Sequence, residues 1–385
     1  MDASREVRRG HSRARDAAAA VRELHAAIVQ PNLELVVFFC STEYDLDALA
    51  AEMVAAFGTT SVVGCTTAGE FGPAGYLEGG LSGFSLSADA FVAVSGRLGD
   101  LQHFEFSRAQ CFVGERLEEL AGRAPHANGD NSFALQLIDG LSVREEPATR
   151  AFQQILGGIP LVGGSAGDGL RFERTGVYFA GQFHADSAVL VVVTTPLPIK
   201  PFMTQHFAAT ARRVVVTDAD SGRRLVREID GRPAAVAYAD LVGVRTDNLD
   251  PQRFAASPMV VVIGGVNYVR SISKALPDGS LKFFCAIDEG LVLRVAHATD
   301  LVANLEQALD TVRSKIGEPQ LIIGCDCILR RLEIIQSGTV DRVADLLTRN
   351  HAVGFATYGE QYRGVHVNQT FTGIAIGRAP EASRG

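Results

Sequence analysis

The chain has 385 residues, 47% of them hydrophobic and 21% charged, with 39 glycines and a formal net charge of −8. That balance gives material for a folded core of two ordinary domains, and it argues against general nucleic-acid affinity, which needs clustered Lys and Arg. No stretch reaches the roughly 20 consecutive apolar residues of a membrane span, and Ala17–Val21 is too short and weakly apolar for a signal-peptide core, so a cytoplasmic setting with six reduced cysteines is expected.

In chain order, the basic cluster Arg5, Arg8, Arg9, Arg13 and Arg15 lies on an N-terminal helical arm (residues 1–30) and reads as a solvated helix start. Residues 12–29 read as an amphipathic helix, followed by the apolar strand Leu35–Cys40, a helix over 45–57 and a strand ending in Val62-Val63-Gly64. A glycine-rich loop then leads into a hairpin-like pair, Leu81–Ser87 and Ala90–Leu98. The order recurs: helix 107–123, strand Phe133–Ile138, helix 145–156, a strand into Val162-Gly163, a glycine-rich turn, and strands at 175–182 and 187–194. It recurs again as helix 299–316, strand Leu321–Gly324, a helix across 328–349, strand Ala352–Phe355 and His366–Gly377.

Short identities support the repeat. Val63-Gly64-Cys65-Thr66-Thr67-Ala68-Gly69-Glu70 shares five of eight positions with Val353-Gly354-Phe355-Ala356-Thr357-Tyr358-Gly359-Glu360. The middle copy, Val162–Asp168, is read as one residue shorter with the same Gly-acid ending, and a fourth, degraded copy is expected over 213–296. The fold class is therefore α/β (mixed α+β): duplicated αβαββ units forming packed sheets covered by helices, because strands such as Leu35–Phe39 are apolar on both faces. The expected divisions are 31–205 and 206–378, with a tail at 379–385.

In α/β units the loops leaving the C-terminal strand ends carry the ligand site. Here those ends hold Cys40, Ser41, Asp139, Cys325, Asp326 and Cys327 after the first strands, and Glu70, Asp168 and Glu360 after the second. The glycine beside each acid most simply supplies a positive-φ turn, whereas a carboxylate after the same turn in three copies points to a shared cleft, with Tyr358 and Asn368 near its C-terminal part. Cys65 stands where a nucleophile could be placed, but no linear signature names its base. Cys325-Asp326-Cys327 differs in spacing from structural zinc sites; buried small side chains, a redox pair and a zinc site completed by a distant histidine all remain open.

Gly64–Glu70, Leu137–Gly140, Gly163–Asp168, Asp230–Ala234, Gly354–Glu360 and Asn368-Gln369-Thr370 together resemble the motif series of the FIST family, N- and C-terminal halves, across roughly residues 30–377. The resemblance implies a sensory domain for small ligands in bacterial signalling, amino acids being the inferred ligand class. Tyr358–Tyr362 followed by His366–Gly373 is similar to the NosP-type branch, which implies haem b, nitric-oxide sensing and a partner histidine kinase or cyclic-di-GMP enzyme. With only a short polar tail after Gly377, the signal is expected to pass to another chain, and a homodimer is the self-assembly to consider.

For iron the candidates are His366, then His206 and His184, each weighed against a hydrogen-bonded core histidine. Arg363, Arg330 and Arg331 are candidate propionate partners, and Glu360 a partner for the second ring nitrogen. Arg363 also joins Glu70, Asp139, Asp168, Asp326, Tyr358, Glu360 and Asn368 in the expected ligand set. The alternative is an amino acid or other small metabolite bound without haem. The chain is expected not to be an enzyme, a cysteine- or carboxylate-based hydrolase or transferase being the remote alternative.

Overall fold

The computed structural model describes residues 6–263 and 265–379, so Arg5 of the basic cluster and the tail 380–385 lie outside the described residues. The described chain divides into two compact units: residues 6–203, 306–365 and 371–379 in the first, and residues 204–263, 265–305 and 366–370 in the second.

Three copies of one pattern build the first unit. Copy one runs β1 (Val7–Ser12), α1 (Ala17–Ile28), β2 (Leu33–Cys40), α2 (Leu46–Phe57), β3 (Ser61–Thr66), the hairpin β4 (Glu70–Gly72) and β5 (Gly75–Leu77), then β6 (Leu81–Ser87). Copy two repeats it as β7 (Val92–Gly99), α3 (Phe106–Arg123), β8 (Ser132–Ile138), α4 (Glu145–Leu156), β9 (Leu161–Ser165), β10 (Val177–Phe179), β11 (Gln182–His184) and β12 (Ser187–Thr194). Copy three begins with β13 (Ile199–Thr204) and is interrupted by the second unit. That unit contains β14 (Phe207–Asp220), β15 (Leu225–Ile229), β16 (Arg232–Pro233), α5 (Ala234–Val242), α6 (Pro251–Ala256), β17 (Met259–Ile263), β18 (Val266–Arg270), β19 (Ile272–Ala275), β20 (Leu281–Phe283) and β21 (Val292–Ala298). Copy three then resumes with α7 (Leu301–Ile316), β22 (Leu321–Cys327), α8 (Ile328–Gln336), α9 (Val340–Arg349), β23 (Ala352–Thr357), β24 (Glu360–Tyr362), β25 (Val365–Val367) and β26 (Phe371–Ile376).

The three sheets of the first unit share one strand order: β1-β6-β2-β3-β10-β11, β7-β12-β8-β9-β24-β25 and β13-β26-β22-β23-β4-β5. In each, one parallel pair (β2–β3, β8–β9 or β22–β23) comes from the copy itself, while the last two strands are a hairpin donated by another copy. The hairpin of copy one completes the sheet of copy three, that of copy two completes copy one, and that of copy three completes copy two. The backbone repeats the same two bonds at each junction. The N–H groups of Thr66, Ser165 and Ala356 donate to the carbonyls of Gly176, Gly359 and Gly69 at 2.9, 2.9 and 2.7 Å. In return the carbonyls of those three residues accept from Gly167, Tyr358 and Ala68.

Inner faces of all three sheets meet in one core that includes Val37, Phe39, Val63, Leu135, Val162, Ile323 and Phe355. At its centre the rings of Phe39 and Phe355 stack 4.7 Å apart. Outer faces are covered by helices, α1 and α2 on the first sheet and α3 and α4 on the second, so both faces of strands such as β2 are buried as expected. In the second unit every strand pairing described is antiparallel, with α5 and α6 packed on one face.

Several expectations need correction. Residues 213–296 are not a fourth copy, since they lack the parallel pair that defines one. Residues 7–12 of the basic stretch form a strand against β6 rather than a helix start, because Val7 packs into the inner core while Gly10 and Ser12 lie against α1 on the other face. The expected hairpin of residues 81–98 is two strands, β6 and β7, in different sheets. The helix across 328–349 breaks at Ser337–Thr339, where Gly338 takes φ 67°. Copy two is not shorter: Gly176 stands level with Gly69 and Gly359, so residues 168–175 are an insertion and Val177 occupies the position of Glu70 and Glu360.

One glycine per copy is required by close strand approach. A Cβ on Gly64, Gly163 or Gly354 would lie 2.6, 2.1 or 1.8 Å from the carbonyl oxygen of its parallel partner, Phe38, Gln136 or Gly324. The backbone cannot yield there without opening the ladder. Gly354→Ala is expected to destabilise the protein by about 3 kcal/mol or more in urea denaturation.

Candidate functional site

A cleft of about 370 Å³ opens at the C-terminal ends of β2 and β3. All three copies wall it: Ser41 follows β2, Thr67 and Glu70 follow β3, Asp168 and Arg171 come from the insertion of copy two, and Arg331 comes from α8 of copy three.

Glu70 is fully buried. One carboxyl oxygen accepts from the Thr67 hydroxyl and the other from the Gly80 N–H at 3.1 Å. Burial pushes its pKa up to about 7, against the opposing pull of those two bonds and the Arg331 charge. Arg331 is 9% exposed. Its Nη2 makes one long bond to the Leu77 carbonyl (3.4 Å), its guanidinium lies 5.0 Å from the Tyr76 ring centre, and Nη1 has no hydrogen-bond partner. Gly69, at φ 129°, lets the guanidinium in: a Cβ there would lie 2.6 Å from its carbon.

Behind this pair, Arg330 bonds Asp326 at 2.7 Å one helical turn away, both side chains buried. Asp326 and Arg330 therefore brace the start of α8 and do not line the cleft. Asp168 lines it but is largely committed to its own loop: its oxygens accept from the N–H groups of Phe172, Glu173 and Arg174, each at 2.8 Å, and from the Tyr358 hydroxyl. Burial alone would raise its pKa, but these four donors outweigh that and hold it below the usual carboxylate range. Tyr358, stacked on Phe172 at 4.4 Å, thus anchors the insertion.

Of the other expected site residues, Asp139 accepts from Leu141 and Asp186 N–H groups and the Thr175 hydroxyl, away from the cleft lining. Glu360 is fully buried opposite Gly164 in the exchanged hairpin. Arg363 takes φ 47° in the following turn, its guanidinium 5.9 Å from the Tyr362 ring centre. The expected gathering of five carboxylates thus reduces to Glu70 and Asp168. Asn368 is buried in the second unit.

Among the metal candidates, His184 sits on β11 with Nε2 3.2 Å from the Phe179 carbonyl, while His206 and His366 are buried in the second unit. Cys325 and Cys327 are buried on either side of Asp326, and burial pushes the thiols of Cys325 and Cys65 far up, against a thiolate nucleophile. No three His, Cys, Asp or Glu side chains gather at metal-ligand spacing among the described residues. Sequence reasoning missed Thr67, Arg171 and, as a member of this cleft, Arg331. Thr67 recurs as Thr357 and could have been found from the repeat; the other two come from other copies and carry no linear signal.

Fold and cleft define a class: a three-copy, strand-exchanged α/β protein with a cleft where the copies meet. The chain belongs to the FIST family, its residues 34–232 matching the FIST N domain and 234–363 the FIST C domain. FIST domains are small-ligand sensory domains of signalling proteins. No curated protein matches the chain. Among solved structures, a cyanuric acid hydrolase from A. caulinodans is similar over 97% of this chain and 99% of its own, at 9% identity and a TM-score of 0.40. Another cyanuric acid hydrolase structure covers 96% and 99%, at 11% identity and a TM-score of 0.36. Both are enzymes, which stands against the expectation of a non-enzyme. At that distance the likeness carries no activity to this chain. No helix among the described residues is long and apolar enough to cross a membrane.

Glu70 sets a pH dependence. A carboxyl with a higher pKa folded than unfolded leaves stability unaffected below its ordinary value of 4.5, then lowers it as pH rises through about 7. Gln at this position can accept from Gly80 and donate to Thr67, whose hydroxyl turns to the Cys40 carbonyl. Glu70→Gln is expected to match the parent near about pH 4.5 and to exceed it by up to about 3 kcal/mol near about pH 8, read by urea denaturation across that range.

Proposed function

We propose that this chain is a cytoplasmic sensor that binds a small zwitterionic metabolite, an α-amino acid being the simplest, in the Glu70–Arg331 cleft, and passes the signal to a partner chain. The observation that carries this is Arg331 Nη1, buried in the cleft without a hydrogen-bond partner. A buried guanidinium donor left unpaired costs on the order of 1–3 kcal/mol, which a ligand carboxylate would return. Glu70, poised to ionise near neutral pH, would then face the ligand's ammonium group. A histidine kinase or cyclic-di-GMP enzyme is the partner class that fits a sensory family, and its response requires differential affinity of the ligand for two states.

The haem reading finds less support in this cleft. Its walls carry Glu43, Glu70, Glu78 and Asp168, which would repel propionates, and His184, His206 and His366 do not line it. His366 and His206 are 3% and 1% exposed, and each already has a partner inside the fold. Arg330 is committed to Asp326. Titration of the purified protein with haemin is expected to give no saturable Soret band. A saturable band lost in His366→Ala would replace the present reading.

A melting-temperature screen against the standard α-amino acids tests the main proposal. At least one should stabilise the protein in a concentration-dependent way, as binding to the folded state alone requires. Arg331→Ala should weaken that ligand at least about tenfold, the scale of one charge-assisted bond. A screen in which none stabilises, or an unchanged affinity in Arg331→Ala, would sink it.

A further inference from the structure

The three copies allow a comparison inside one molecule. In each, the turn of a donated hairpin rests on the helix that precedes the second parallel strand of the copy it completes: α2, α4 or α9. Gly75, Gly181 and Gly364, at φ 79°, 85° and 84°, meet Ala344, Val54 and Gln153 respectively. These three helix positions are equivalent: Val54 and Gln153 each lie four residues before the glycine that caps their helix, Gly58 and Gly157. The strand register, Val36 opposite Val62, Ala134 opposite Leu161 and Ile322 opposite Ala352, places Ala344 at the same point in copy three.

In copy two the Gln153 side chain binds its own backbone. Its Nε2 donates to the carbonyls of Gly157 (3.1 Å) and Ile159 (3.0 Å), and its Oε1 accepts from the Leu161 N–H (2.9 Å). The equivalents of those three residues in copy one are Gly58, Thr60 and Val62, and Val54 cannot reach them with any polar atom. All three, with Val54 itself, line a groove of about 370 Å³ between α2 and the β10–β11 turn. The groove lies apart from the Glu70 cleft, shares no residue with it, and has no charged lining residue. Met53, Val62 and Phe179 give it apolar walls. Tyr178 also lines it, and the Ser61 and Ser95 hydroxyls pair at 3.0 Å.

We propose that this groove is a second binding site, for a small uncharged molecule that carries a primary carboxamide on an apolar body. The ligand's amide does in copy one what the Gln153 side chain does in copy two. Its NH₂ donates to the carbonyls of Gly58 and Thr60, its oxygen accepts from the Val62 N–H, and its apolar part lies against Met53, Val54 and Phe179. Anions are excluded because nothing charged is present to receive them. A ketone of the same shape lacks the two donors, and a site built to pair both donors and an acceptor discriminates strongly against such an analogue.

Benzamide, benzoate and acetophenone serve as probes, titrated into the full chain while amide and methyl chemical shifts are followed by NMR. Benzamide is expected to give saturable shifts at residues 53–62 and 178–181, and the other two to bind at least about tenfold more weakly. Val54→Gln supplies the missing side chain. Val54 is 49% exposed, so the substitution is tolerated on the helix surface. The variant should lose benzamide binding and melt at a higher temperature than the parent, because the glutamine fills the groove as Gln153 does. Absence of saturable benzamide binding, equal binding of benzoate or acetophenone, undiminished benzamide binding in Val54→Gln, or a lowered melting temperature of that variant would each overturn the assignment.

Discussion

Three backbone bonds, from Thr66, Ser165 and Ala356 to the carbonyls of Gly176, Gly359 and Gly69, hold the first unit in its ring of copies. The edge of each second strand presents donors and acceptors that its own copy does not cover, and an uncovered buried edge is costly. Each copy meets that need with a hairpin lent by another, in a closed cycle, so none has a complete sheet by itself. The glycines at Gly64, Gly163 and Gly354 follow from the same constraint, since the parallel strands pack too closely there for a side chain. The cleft follows as well: exchange brings the start of α8 against the Gly69 turn, and without it Arg331 and Glu70 would not share a wall.

Buried carboxylates around this ring meet different fates. Asp326 has an arginine, Asp139 has two N–H groups and a hydroxyl, and Asp168 has three N–H groups and a phenol. Each is compensated by donors from within the fold, some of them distant in sequence, as Tyr358 is for Asp168 and Asp186 for Asp139. Glu70 has a hydroxyl and one N–H, which do not overcome its burial. It keeps capacity for something outside the fold, and Arg331 beside it in the cleft has a donor left over.

The pattern of strands and helices was legible because period and composition change sharply at each boundary: Leu35–Cys40 and Phe133–Ile138 are apolar on both faces, and helix 145–156 begins and ends where the structure has it. The Gly69-Glu70 turn was legible from its near-identity with Gly359-Glu360. Sheet membership was not, because a hairpin that pairs with a strand some 280 residues away looks locally like any other hairpin. The insertion at 168–175 was hidden for a related reason: matching the glycine-acid ending alone put Asp168 where backbone bonding puts Val177. Arg331 reads in sequence as one of two helix arginines, and only the exchanged geometry separates the buried brace, Arg330, from the cleft residue.

The ring also sets a timetable for synthesis. The hairpin β4–β5 leaves the ribosome early, but its pairing strand β23 ends at Thr357. At 5–20 residues per second that partner arrives roughly 15–60 s later. Through that interval Phe71 and Leu77, fully buried in the finished protein, have no sheet to join. Until the last copy emerges the ring cannot close, and the hairpin waiting for its sheet stays open to premature pairing with neighbouring chains.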